Sequence, residues 1–183
     1  MTTNSKILVF AASTSSSSIN RQLVKHAADV LEQEIHQEVS TTLLDLNDFE
    51  TAIYSADREA ATGIPDKAKE FFALIGESDA LLIAYAEHNG HYTAAYKNLF
   101  DWCSRIDRKV YQDKPMLIMA ASPGPGGGAN VLRAATESAP HFGADVKGSL
   151  SVGRFADTFN SETGVLEDAT LAASLREQLG KLL

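Results

Sequence analysis

Cysteine is all but missing from this sequence. Cys103 stands alone among 183 residues, so no disulfide can form within the chain. Long apolar runs are missing too: no stretch approaches the ~20 residues that a membrane-spanning helix requires. Positive charge is scarce, with 16 basic against 24 acidic residues and a net charge of -8. Such a surface repels phosphate backbones and anionic lipids, which argues against nucleic-acid and membrane partners. No GxGxxG or Walker pattern occurs at the first strand–helix junction, and no internal repeat or linker divides the chain. The polar start, MTTNSK, leads directly into a strand-length apolar run. With the lone thiol, these features give the expectation of a soluble, cytoplasmic protein forming one domain over residues 1–183.

What is present is a rhythm. Residues 6–12 (KILVFAA), 80–85 (ALLIAY) and 115–121 (PMLIMAA) are short, continuously apolar, and closed by polar or glycine-rich loops. Strands covered on both faces read this way, because neither side meets water. Residues 39–46 alternate more, as an outer strand does, and residues 145–152 form a less distinct fifth run.

Between these runs the period lengthens to that of helices. Ile19, Leu23, Ala27, Val30 and Leu31 follow one helical stripe. Pro65 begins a second helix through Phe72 and Ile75, with Gly76 suited to its end. Further helices are expected over 93–105, over 129–142 with Gly143 beyond, and over 168–183. Strands alternating with helices imply right-handed parallel βαβ units, hence an α/β, three-layer, doubly wound domain. Five strands in the order 2-1-3-4-5 are expected, with two long loops at 47–64 and 153–167.

In such sheets ligands bind beyond the carboxyl ends of the strands, where strand order reverses. Three unusual loops follow the three most apolar strands, and this order would gather them around one pocket. The first, residues 13–20, has six consecutive hydroxyl residues at a helix start, suited to a monophosphate. The same serines suit a plain helix cap. The second, Glu87-His88-Asn89-Gly90-His91-Tyr92, suits either a planar heterocycle or an ordinary turn. Two histidines are too few to support a metal, and none is expected. The third, residues 122–128, is rich in glycine, which permits close backbone approach to a ligand or a tight turn. Trp102 and Cys103 read as packing residues, and no nucleophile–base arrangement is evident. Lys97, Asp101 and Arg105 form a charged stripe at spacings of four, suited to a partner or to solvent. Arg58 and Arg154, in the two long loops, suit a nucleotide 2′-phosphate but suit plain surface solvation better.

The loops together resemble those of the NADPH-dependent FMN reductases in the flavodoxin-like superfamily, which include quinone, azo-dye and chromate reductases. Ser13, Ser18 and Asn20 match a first-loop pattern G-S-x-R-x-x-S-x-N. Glu87, Asn89 and Gly90 match P-E-Y-N-G-S, and Lys97, Asn98, Asp101 and Trp102 match K-N-x-x-D-W. Ser122, Gly124, Gly127 and Gly128 match the third segment. The family's first-loop arginine is Ser15 here and its glycine Ala12, while its proline and tyrosine are Ala86 and His88.

The resemblance implies a flavodoxin-like fold holding FMN, with NADPH or NADH as transient hydride donor. It implies cofactor contacts at Ser13, Ser15, Ser18, Ile19 and Asn20, at Glu87, His88, Asn89 and Gly90, and at Ser122, Gly124, Gly127 and Gly128. The flavin would carry the chemistry, so no catalytic side chain is expected. A small-molecule electron acceptor and a homodimer or homotetramer are implied as well. A flavodoxin-type electron carrier, or a member that has lost flavin binding, are the competing readings.

Overall fold

Five parallel strands form the main sheet of the computed structural model, in the order β2-β1-β3-β4-β5. The structure describes residues 4–36 and 38–183. The central strands are β1 (Ser5–Ala12), β3 (Ala80–Tyr85) and β4 (Lys114–Ala121). All six residues of β3 are buried, as a continuous apolar run requires. The outer strands β2 (Val39–Leu44) and β5 (Ala144–Val152) alternate in exposure. Side chains alternate across each strand, so Ile7, Val9 and Ala11 join one core while Leu8, Phe10 and Ala12 join the other.

The helices α1 (Ile19–Val30) and α7 (Ala169–Leu179) cover the first face. The second face is covered by α3 (Asp66–Glu77), α4 (Ala94–Ile106) and α5 (Ala129–Ser138). Register brings the site loops level: Ala12 lies beside Tyr85, and Tyr85 beside Ala120. The expected three-layer arrangement and strand order are therefore what the chain adopts.

Three local expectations change. The second strand stops at Leu44, because the Asp45 carboxylate caps a 3-10 turn (Leu46–Phe49) by accepting the Asn47 N–H at 3.0 Å. Gly76 does not end its helix but lies within α3, which runs to Glu77. A Cβ there would meet Gln112 Oε1 at 2.7 Å, so the glycine makes room for a side chain whose amide donates to Phe72 O. The fourth expected helix breaks after Ser138 into a 3-10 turn (Ala139–Phe142) containing Pro140, which cannot continue the α ladder. Gly143, at φ +78°, closes it.

The long stretches are not bare loops either. The first holds α2 (Ala56–Thr62); the second holds α6 (Phe155–Thr158) and a hairpin of β6 (Phe159–Asn160) with β7 (Val165–Leu166). Among the described residues no helix is long and apolar enough to cross a membrane.

Candidate cofactor site

A cleft of about 250 Å³ opens at the carboxyl ends of β1, β3 and β4. It gathers all three loops. The first contributes Ser13, Ser15, Ser18, Ile19 and Asn20; the second contributes Glu87 and His88; the third contributes Ser122. Ser17, Ala86, Ala121 and Pro123 also line it and were not singled out by the sequence. Ser17 belongs to the same hydroxyl run, and Ala86 occupies the family's proline position, so both carried a signal.

The first loop is partly a cap and partly open. Ser18 Oγ accepts the Arg21 N–H at 3.2 Å and so caps α1. Ser13 Oγ accepts the Ser15 N–H at 3.2 Å. Both hydroxyls retain a proton to donate. Among the described residues, no partner takes the N–H groups of Ser16, Ser17, Ile19 or Asn20. Unpartnered amides at a helix start, beside donor hydroxyls, make a receptor for a small anion. The residues therefore fit a phosphomonoester. The Asn20 amide is otherwise engaged: Oδ1 accepts the Ala121 N–H at 2.8 Å and Nδ2 donates to Ala121 O at 3.2 Å. It lines the cleft while tying the first loop to the end of β4.

In the second loop, His88 and His91 exchange backbone hydrogen bonds across Asn89 and Gly90. Asn89 at φ +52° and Gly90 at φ +80° form the two-residue turn that Asn-Gly favours. These two lie outside the cleft wall, whereas His88 lies on it and is exposed. Glu87 reaches the start of α5, where its Oε2 accepts the N–H groups of Asn130 and Val131, each at 3.0 Å.

The glycines of the third loop divide. Gly124 has open space where a Cβ would be. At Gly127 (φ +59°) a Cβ would collide with Ser151 Oγ, and at Gly128 (φ +70°) it would lie 2.8 Å from Ala120 Cβ. Those two are required by packing of α5 against β4 and β5. None of the three lines the cleft.

The K-N-x-x-D-W segment holds the long loop that precedes α2. Asn98 Oδ1 accepts the Tyr54 N–H at 2.8 Å, and its Nδ2 donates to Thr51 O at 3.1 Å. Trp102 Nε1 donates to Ala52 O at 2.7 Å. The charged stripe on α4 is paired within the chain: Lys97 with Asp101 at 2.6 Å, and Arg105 with Glu59 of α2 at 2.9 Å. Arg58 lies on α2, and the Arg154 N–H donates to Gly124 O at 2.8 Å. Cys103 is buried, and burial pushes its thiol up to about 12, far from a reactive thiolate. Behind the cleft, Tyr85, Tyr96 and Tyr111 share their hydroxyls, with Tyr96 and Tyr111 at 2.7 Å. Burial raises all three phenols. No cluster of three or more His, Cys, Asp or Glu suited to a metal occurs among the described residues.

Residues 5–157 match the family model described as NADPH-dependent FMN reductase. An NAD(P)H-dependent FMN reductase of Pseudomonas aeruginosa is 30% identical over 68% of this chain and 63% of that protein. A quinone reductase of Escherichia coli is 32% identical over 42% of this chain and 41% of that protein. The chain's match thus spans less than two thirds of either relative. Among solved structures, the flavoenzyme NAD(P)H:acceptor oxidoreductase FerB of Paracoccus denitrificans superposes with a TM-score of 0.75 at 22% identity. That likeness covers 96% of this chain and 93% of FerB, and concerns the fold.

Proposed function

The chain belongs to the NADPH-dependent FMN reductase family, and on that premise we propose that it is an FMN-dependent NAD(P)H oxidoreductase acting on flavin, quinone or similar small acceptors. The observation that carries the reading is the open start of α1, where the unpartnered amides of Ser16, Ser17, Ile19 and Asn20 meet the hydroxyls of Ser13 and Ser18. A terminal phosphate suits that receptor, and no pyrophosphate fingerprint accompanies it.

Ser13, Ser15, Ser18, Ile19 and Asn20 would hold the phosphate end. His88 and the Asn89–Gly90 turn would flank the ring, with Ser122 and Gly124 on the remaining side. Glu87, Gly127 and Gly128 support those loops from behind. Bound there, FMN would supply the redox chemistry, hydride acceptance from NADPH or NADH and electron delivery to the acceptor in ping-pong half-reactions. This chain's residues bind and orient; no side chain is assigned as acid, base or nucleophile. The working unit is one FMN-binding domain, residues 1–183, assembled as a homodimer or homotetramer in the cytoplasm.

Ser15 in place of arginine and His88 in place of tyrosine favour, as the second reading, a member that no longer retains flavin. One experiment separates the readings. The visible spectrum of the purified protein, supplemented with FMN, is recorded before and after anaerobic NADPH, and then with a benzoquinone. Bleaching by NADPH and recovery with quinone support the reductase. Absence of bound flavin supports the second reading, and flavin that NADPH cannot bleach supports a flavodoxin-type carrier.

A further inference from the structure

The second loop, residues 86–92, begins and ends at the same point of the fold. It leaves the sheet after Tyr85, which lies beside Ala12 in the register of β3 with β1. It ends at Thr93, whose hydroxyl donates to Ala12 O at 3.0 Å across 81 positions. Ala12 directly precedes Ser13, where the hydroxyl run begins. Both ends of the loop that carries His88 are therefore pinned to the root of the loop that carries the open amides. Thr93 is only 3% exposed and does not line the cleft. Its Oγ1 also accepts the Tyr96 N–H at 3.3 Å, which caps α4.

Two further ties join the loops. Asn20 holds the first loop to Ala121 at the end of β4, and Glu87 holds the second loop to the Asn130 and Val131 N–H groups of α5. Of the three ties, the one made by Thr93 joins the first loop to the second directly.

We propose that Thr93 is a positioning residue that sets the separation between the phosphate receptor at α1 and the turn that flanks the ring. A ligand with a phosphate at one end and a planar ring at the other then engages both at once. The inference rests on the reading of the cleft as an FMN site. A ligand held at two points gains because its second contact forms within a molecule already bound, and that gain is lost when the two points are wrongly spaced. Thr93 touches neither end. Without its hydroxyl, each loop keeps its own binding groups, but the exit of the second loop is free to shift away from Ala12.

The test separates the two ends from the span between them. Flavin-free wild type, Thr93→Val and Thr93→Ser are titrated with FMN and with riboflavin by flavin fluorescence, and with inorganic phosphate by calorimetry. Riboflavin carries the ring without the phosphate, and inorganic phosphate represents the other end alone. Thr93→Val keeps the shape of the side chain and removes its hydroxyl. It should weaken FMN by about tenfold, one hydrogen bond expressed as affinity, and leave riboflavin and phosphate as in wild type. Thr93→Ser keeps both the donor and the cap and should bind all three ligands as wild type does.

Unchanged FMN affinity in Thr93→Val overturns the proposal. Riboflavin and phosphate weakening as much as FMN also overturns it, since that is the mark of a general loosening. So does a Thr93→Ser protein that loses FMN affinity. Should the valine variant not fold, Thr93→Cys, with a weaker donor of similar size, is judged by the same comparison. The FMN reading fails separately, when wild type binds FMN no more tightly than riboflavin.

Discussion

The loop after β1 leaves its hydrogen-bonding groups open, whereas the loop after β4 uses its own. In the first, the backbone amides of Ser16, Ser17, Ile19 and Asn20 have no protein partner among the described residues, and Ser13 and Ser18 each keep a hydroxyl proton to donate. In the second, Ser122 Oγ donates to Gly124 O at 3.0 Å, and Gly124 O also accepts the Arg154 N–H at 2.8 Å. Gly127 and Gly128 let α5 start directly against β4 and β5. Both loops consist of small residues, for opposite physical reasons. One leaves its polar groups uncovered, and the other lets backbone reach backbone.

Glycine replacement separates the two loops most sharply. Gly127→Ala or Gly128→Ala should lower stability by about 2–4 kcal/mol, combining positive-φ strain with overpacking. Gly124→Ala, in open space, should stay within ~0.5 kcal/mol. Urea denaturation of the three variants checks this, and equal midpoints would remove the packing role of the third loop.

Next in size is a gain. Ser15→Arg restores a guanidinium to the open loop, and a charge-assisted hydrogen bond of about 1.5–3 kcal/mol should tighten FMN at least tenfold. Fluorescence quenching of FMN measures it, and an unchanged dissociation constant would show that the hydroxyls already suffice.

Serine deletion follows. Ser18→Ala should cost about 1 kcal/mol of stability through the lost cap and also weaken FMN. Ser13→Ala should weaken FMN with little loss of stability, and Ser16→Ala should do neither strongly. Thermal melts paired with flavin titrations resolve the three, and identical FMN affinities would leave the first loop without its assigned task.

The smallest effect is a control on α1, away from both loops. Burial lowers the His26 pKa below its ordinary 6.5, Asp29 and Glu34 oppose, and Arg176 adds to the lowering. The unfolded chain then binds more protons, so stability is present above pH ~6.5 and is lost as pH falls through it. His26→Gln should flatten that slope in denaturation measured between pH 5 and 8, a window around the reference pKa, and leave FMN affinity alone. A slope that persists would assign the acid sensitivity elsewhere.

Continuous apolar runs made the central sheet legible, down to both ends of β3. The convergence of three loops was legible only on supposing the order 2-1-3-4-5, since crossover rules fix the hand of each βαβ unit and leave the strand order open. Helix α2 escaped because ADREAAT buries none of its residues and so carries no apolar stripe. The tasks of Glu87 and Asn98 escaped for a different reason. Glu87 satisfies a helix 43 positions away, and Asn98 braces a loop 44 to 47 positions earlier. Motif spacing identifies such residues as matching, while the partner that explains each of them is set by tertiary structure alone.

Asn20 and Ala121 are 101 positions apart, and Asn20 is only 2% exposed. Its amide is satisfied only after β4 has been laid beside β3, which itself lies beside β1. On a growing chain, the first loop is therefore synthesised early but completed late. The hydroxyl run emerges from the ribosome about a hundred residues before the strand that holds it in place. A truncated product ending before β4 would carry the hydroxyl run with the Asn20 amide left unpaired, a defect of about 1–3 kcal/mol. Ordering of the first loop is thereby coupled to completion of the sheet.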